Sequence, residues 1–230
     1  ASVAEQLQLW PSLGLPSLHE LVSLSAPAAL SPVSGVDVKF TDHVASENAF
    51  QTTTSIAELI ATLDLESARE LDRGGIALPD SKRLAAAMGV DLDRVSGLLD
   101  IASRAGLVAL DSGRWMPAEA SRAWMVDSSG ERWALLATAW LERLPVDIRT
   151  ILRERAHAVW GERLEEYVAW LFPAGDDWMR DRVRVYTRDA ELLGITADNV
   201  PSTPGAALLA SGADAAATAM AALFPPEVAQ

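Results

Sequence analysis

Three arginines lie four residues apart in the second half of the chain, at Arg180, Arg184 and Arg188. Residues four apart share one face of an α-helix, so their guanidinium groups would form a basic stripe. A guanidinium fork suits phosphate recognition, which makes the stripe a candidate nucleic-acid contact. The same segment also holds three aspartates that would instead pair with the arginines on a solvated face: Asp177, Asp181 and Asp189.

Three further arginines are candidates for nucleic-acid contact: Arg94, Arg104 and Arg114. Arg94 and Arg104 belong to a predicted helix that would read the major groove in a DNA-binding protein. Acidic residues on the same face, beginning with Asp91 and Asp93, repel phosphate and favour a structural or protein-contact role. Arg114 lies beside Trp115 in a predicted hairpin, where it could reach a DNA backbone.

The residues needed for catalysis or metal binding do not occur in recognisable patterns. Neither Lys39 nor Lys82 completes a G-x-x-x-x-G-K-[ST] phosphate loop, and there is no D-E-x-[DH] box, so ATP hydrolysis is not expected. His19, His43 and His157 are scattered and have no partner at ligand spacing. We therefore predict a protein that is not an enzyme and needs no metal or cofactor.

The overall charge argues against a free-standing DNA-binding protein. The 230 residues include 19 basic and 32 acidic ones, giving a net charge of −13, which repels phosphate at long range. Any contact with DNA must therefore be weak and come from a local arginine patch. The chain lacks cysteine and any apolar run long enough to span a bilayer. We expect a cytoplasmic protein without membrane contact, with nucleoid association as an alternative.

The clearest structural pattern begins after Pro79. Residues 81–88 and 92–105 have the character of two short helices separated by a tight turn. A small residue, a glycine and two apolar residues fall at offsets 0, 4, 10 and 13: Ala85, Gly89, Val95 and Leu98. This spacing brings two helices close together and places a positive φ at the glycine, which predicts a helix-turn-helix.

A hairpin is predicted directly after the second helix. Residues 107–110 and 114–116 read as strands, and Asp111-Ser112-Gly113 between them is a turn sequence. A helix-turn-helix followed by two strands predicts a winged helix-turn-helix domain, which we assign to residues 55–126.

The regions on either side of this domain are less regular. Residues 1–54 predict an N-terminal helical arm and a Pro/Ser-rich linker, with a short strand at 36–40. Residues 127–230 predict a helical domain, in which four tryptophans fall on inward-facing stripes: Trp133, Trp140, Trp160 and Trp170. The fold class is thus mainly α with small β wings.

A weak internal repeat suggests a second winged helix. Ala105-Gly106-Leu107-Val108 resembles Leu193-Gly194-Ile195-Thr196, and the two segments are 88 residues apart. Pro117 and Pro201 then precede a further helix in each copy. We therefore predict a second, degenerate winged helix near residues 176–210.

Several short segments follow one another in a characteristic order: Gly74-Gly75-Ile76, LAAAMGVDLDRVSGLLDIASRAGLVAL, Trp115-Met116-Pro117, Glu131-Arg132-Trp133-Ala134-Leu135-Leu136, Ala139-Trp140-Leu141, Ala190-Glu191-Leu192-Leu193-Gly194-Ile195-Thr196, Thr203-Pro204-Gly205-Ala206-Ala207-Leu208-Leu209 and Phe224-Pro225-Pro226-Glu227-Val228. This order resembles the actinobacterial helicase-associated proteins, which are classed with the N-terminal domain of the DNA-repair helicase XPB. The likeness covers about residues 55–228. It implies an N-terminal portion of a longer protein, lacking motor motifs.

The resemblance implies a role near DNA repair or helicase action, by analogy. Our leading expectation is a non-enzymatic module that contributes nucleic-acid or protein contacts, with DNA, the rest of a longer chain or a helicase as partner. One alternative is a protein–protein interaction scaffold whose winged helices do not bind DNA. A transcription regulator is a further alternative.

Overall fold

The computed structural model describes residues 37–160, 162–171 and 177–225. The N-terminal arm and most of the linker predicted before residue 37 lie outside this range. Within it the chain is mainly helical with two small sheets, which confirms the predicted mainly α class with a small β component. None of the helices in these ranges combines the length and apolar character needed to cross a membrane.

The elements follow in chain order. The first half contains α1 (Val38–Leu65), β1 (Ala68–Arg69), α2 (Leu78–Met88), α3 (Arg94–Arg104), β2 (Val108–Asp111), β3 (Arg114–Pro117) and α4 (Ala120–Trp124). The second half contains α5 (Ser129–Arg143), α6 (Val146–Glu154), α7 (Glu162–Leu171), α8 (Asp177–Leu192), β4 (Thr196–Ala197), β5 (Val200–Pro201), α9 (Thr203–Ser211) and α10 (Ala213–Ala221).

The elements from α1 to β3 form the first unit. Its antiparallel sheet has the strand order β1-β3-β2. Helix α2 begins with Pro79 in its first turn and ends at Gly89, whose φ of 65° allows the chain to turn into α3. Ser112 and Gly113 both have positive φ and connect β2 to β3 in a two-residue turn. The two short helices, the turn and the hairpin thus lie where the sequence predicts them.

Helix α1 begins much earlier than the sequence indicates. The strand predicted at residues 36–40 is wrong over its described part, because Asp37 caps a helix by accepting hydrogen bonds from the backbone N–H groups of Lys39 and Phe40. The buried face of α1 is rich in small and hydroxyl-bearing residues, and Thr52 donates to the carbonyl of Leu192 at 2.6 Å. These hydroxyls satisfy their hydrogen bonds inside the fold, so α1 can pack between the two halves of the protein.

The elements from α6 to β5 form the second unit. Its hairpin turns through Asp198 and Asn199, both with positive φ, and Gly194 precedes it with φ of 63°. The backbone N–H of Trp160 donates to the carbonyl of Asn199 at 2.7 Å. In the first unit the backbone N–H of Glu70 likewise donates to the carbonyl of Gly113 at 3.0 Å. The chain segment before each helix pair is therefore tied to the tip of its hairpin.

Tryptophans contribute to a core that runs through both units. Trp133 and Trp160 are fully buried, Trp140 is nearly so, and the rings of Trp140 and Trp160 stack at 6.4 Å. This confirms the predicted core positions of these three residues. Trp170 is 40% exposed, so its predicted inward position is wrong.

Candidate docking surface

Helix α3 presents its outer face on the surface of the first unit. Val95, Leu98 and Leu99 are buried beneath it, while Arg94 and Asp100 are exposed. Gly97 is buried, and a Cβ there would lie 4.0 Å from an Arg188 guanidinium nitrogen. Helix α8 therefore covers part of the face that would enter a DNA groove.

A groove lies between α3, the start of α2 and the loop that follows β1. We call this cavity of about 460 Å³ the α3 groove. Three large apolar side chains on its walls remain exposed, Leu71 by 44%, Leu78 by 56% and Leu92 by 43%. Its remaining apolar lining includes Ile76, Val95, Leu99 and Trp115. This volume is in the range of small-ligand pockets, but the opening is broad and leucine-rich.

Both charged residues that line the α3 groove are acidic, Glu70 and Asp100. The indole N–H of Trp115 donates to the Glu70 carboxylate and fixes its position. Partial burial raises the pKa of Asp100, the nearby Arg104 opposes that rise, and the charges of Asp189 and Glu70 add to it. The groove thus combines apolar walls with two carboxylates, and Arg104 lies 3.9 Å from that of Asp100.

The predicted arginine stripe on α8 consists largely of ion pairs. Arg184 lies within 3.1 Å of Glu165 and 3.3 Å of Asp181. Arg188 donates to Asp189 at 2.8 Å. Arg180 is exposed on the same helix. Acidic neighbours therefore offset the positive charge of at least two of the three stripe residues, which weakens their attraction for phosphate.

Asp189 joins the two units. Its side chain is only 1% exposed and accepts a hydrogen bond from Arg104 of α3 at 2.6 Å. Arg188 donates to the other carboxylate oxygen. Arg104 therefore has a structural role, because it compensates a buried charge that would otherwise destabilise the fold.

The last two predicted arginines differ in their surroundings. Arg114 donates to the hydroxyl of Ser67 at 2.6 Å and to its carbonyl at 3.1 Å, which ties β3 to the segment before β1. Arg94 is exposed and forms no ion pair with any residue that the structure describes. The fold thus brings Arg104 and Arg188 together at one carboxylate and keeps Arg94 and Arg114 apart from them.

The structure supplies no cluster suited to metal binding in its described ranges. No group of three or more His, Cys, Asp or Glu side chains converges there. His43 lies 3.4 Å from Glu47 on the exposed face of α1, one turn away. The α3 groove is the candidate site because three exposed leucines and two carboxylates line one cavity there. The local sequence feature that marks it is the pair Leu71 and Leu78 on either side of Gly74-Gly75.

Comparisons with protein-family models, with curated proteins and with solved structures find no match to this chain. The resemblance to helicase-associated proteins accordingly stays a prediction from the sequence.

Proposed function

We propose that this chain is a non-enzymatic protein-docking module built from two winged-helix units, with α1 of the first unit packed against both. The element order of the first unit supports this assignment: a helix, a short strand, two helices and a two-stranded wing, with the first strand beside the last. Helix α1 packs against elements of both units.

The second unit supports the same assignment through its backbone hydrogen bonds. In the first unit the N–H groups of residues 105, 106 and 107 donate to the carbonyls of residues 101, 103 and 102. The N–H groups 88 residues further on, at 193, 194 and 195, donate to 189, 191 and 190. The elements of the second unit then correspond in order to those of the first. Helix α6 corresponds to the first helix, residues 158–160 to the first strand, α7 and α8 to the helix pair, and the β4–β5 hairpin to the wing.

One observation carries the docking function: the face of α3 that would read DNA borders an apolar groove lined by two carboxylates. DNA binding depends on cations that can reach phosphate. Here Arg104 and Arg188 compensate a buried aspartate and Arg184 lies between two carboxylates. An apolar and acidic surface instead suits a protein partner. The family resemblance makes a helicase, or a longer chain of the same protein, the partner class that we propose.

The test is a titration of labelled duplex and single-stranded DNA with the full chain at low salt, followed by fluorescence anisotropy. We expect no binding up to tens of micromolar. Submicromolar, salt-sensitive binding that is lost in the triple variant Arg180→Glu/Arg184→Glu/Arg188→Glu would overturn the docking function in favour of DNA contact. The matched control places the same charge change at exposed residues away from α8, in Lys39→Glu/Arg122→Glu/Arg153→Glu.

A second experiment measures protein binding directly. The full chain is titrated against a purified XPB-type helicase and complex formation is followed by sedimentation velocity. We expect a complex that forms equally well with the triple arginine variant. No complex with the helicase would overturn the helicase as partner.

A further inference from the structure

We propose that the α3 groove binds an amphipathic, basic segment of a partner protein, with apolar side chains against Leu71, Leu78 and Leu92 and a lysine or arginine between Glu70 and Asp100. This inference deepens the proposed docking function and rests on it. It names the chemistry of the partner and the residues that recognise it.

Exposed leucines give the α3 groove its apolar character. Three leucines, 43% to 56% exposed, surround one cavity of about 460 Å³. Single exposed apolar residues are common, but a contiguous group around a concavity is typical of an interaction site. Its floor is formed by rigid core residues, Val95 at 2% and Leu99 at 4% exposure, so the groove is already formed before a partner arrives.

The charge of the groove selects the partner. Glu70 is fixed by the Trp115 indole, and Asp100 is 55% exposed at its side chain although Arg104 lies 3.9 Å from it. The exposed part of the Asp100 carboxylate can therefore still meet an incoming cation. Asp93 is exposed on the turn that also carries Leu92. A segment with only apolar residues would leave these carboxylates less well solvated, whereas a lysine or arginine would pair with them.

The chain itself is a poor source of this segment. Residues 1–36 contain no lysine or arginine, so they cannot supply the cation. A second copy of the chain carries the same net charge of −13 and is repelled at long range. Charge complementarity therefore favours a different protein with a basic amphipathic helix, which can place apolar and basic side chains on one face.

The experiment uses a defined probe, a fluorescein-labelled amphipathic helix of about 14 residues made of leucine and lysine, which is long enough to form a helix on binding. A counterpart with glutamate in place of each lysine is the charge control. Both are titrated with the full chain by fluorescence anisotropy at moderate and at high salt. We expect binding of the lysine peptide and none of the glutamate peptide.

Two pairs of variants locate the binding site. Leu78→Ser/Leu92→Ser should weaken binding by about tenfold, as expected when apolar anchors of an interface are removed. The matched control Leu65→Ser/Val146→Ser removes two apolar side chains that are 89% and 71% exposed elsewhere, and should leave affinity unchanged. Asp100→Asn should weaken binding in a salt-dependent way, while Asp214→Asn on α10 should not.

The outcomes separate this inference from the proposed function. Equal weakening by the groove and control variants, equal binding of the glutamate peptide, or no binding of the lysine peptide would each overturn the α3 groove as a basic-segment site. Failure of the docking function shows itself in the DNA titration instead. Circular dichroism melting of each variant confirms that it remains folded, and Asp100→Asn tests the charge even if the leucine variants fail to fold.

Discussion

The two units follow the same chain path but differ in what lies against their hairpins. In the first unit Gly106 faces open space, and most of the β2–β3 hairpin is exposed. In the second unit Gly194 lies directly on α1, and the strand residues Thr196 and Ala197 are only 1% and 3% exposed. The same local turn signals therefore serve two purposes. The first unit presents a surface, and the second unit forms the structural base that supports it.

The difference between the two hairpins is tested most strongly at Gly106 and Gly194, which occupy equivalent positions in the two units. An added Cβ at Gly194 would lie 2.0 Å from the carbonyl oxygen of Ala45, so Gly194→Ala must displace α1 and should cost about 4 kcal/mol or more. Gly106→Ala adds only the backbone strain of its φ of 72°, about 1 kcal/mol. Urea denaturation of both variants measures the difference. Similar losses at the two positions would remove the distinction between the units.

The next largest effect concerns the bridge between the units. Arg104→Met leaves the buried carboxylate of Asp189 with only Arg188, and should cost about 3 kcal/mol because one partner of a buried ion pair is lost. The double variant Arg104→Met/Asp189→Leu should recover part of that loss. Arg184→Met is the control, since its side chain is 62% exposed and should change stability by about 0.5 kcal/mol at most. Equal losses for Arg104→Met and Arg184→Met in thermal melting would contradict a bridge at Asp189.

The sequence predicts the first unit well because its signals are local. Gly89 requires a positive φ, Pro79 begins a helix, and Ser112-Gly113 forms a two-residue turn, and each acts over a few neighbouring residues. The two helices and the hairpin that follow from these signals are present in the structure.

The first half of α1 could not be predicted in the same way. Its buried stripe includes Thr41, Ala45, Ala49 and Thr52. Small and hydroxyl-bearing residues give a weak hydrophobic period, and they become core positions only because the second unit packs on them.

The candidate sites depend on pairs that are distant in sequence. Arg104 and Asp189 are 85 residues apart, so nothing in either segment indicates their contact. The α3 groove needs the loop before α2, the start of α3 and Trp115 to meet at one place. Sequence patterns reveal the helices that carry these residues, but their assembly is a tertiary property.

A smaller effect is expected at Asp80, which ties the first unit together locally. The backbone N–H of Arg69 donates to its carboxylate at 3.0 Å and lowers its pKa below 3.8, with a further hydrogen bond from Arg83. Asp80→Asn should therefore cost about 1 kcal/mol at neutral pH. Because the pKa of Asp80 is lower in the folded chain than in the unfolded chain, its ionised carboxylate stabilises the fold at pH values above the unfolded-state pKa of 3.8. The cost of Asp80→Asn should therefore fade as the pH falls through and below 3.8. Denaturation across this pH range measures the change, and a cost independent of pH would contradict the role of the carboxylate charge.

The smallest effect is expected at Asp100, where the sign is reversed. Burial raises its pKa above 3.8, so the ionised carboxylate disfavours the fold at neutral pH and this penalty disappears once the group is protonated at low pH. Asp100→Asn should therefore unfold at a slightly higher temperature than the unsubstituted chain at pH 7, and the gain should shrink as the pH falls below the raised pKa. A structural residue would lose stability on substitution, whereas a carboxylate kept for a basic partner should gain stability and lose peptide affinity. Measuring the melting temperature and the peptide affinity of this one variant therefore shows whether the first unit presents a binding surface or has a structural role alone.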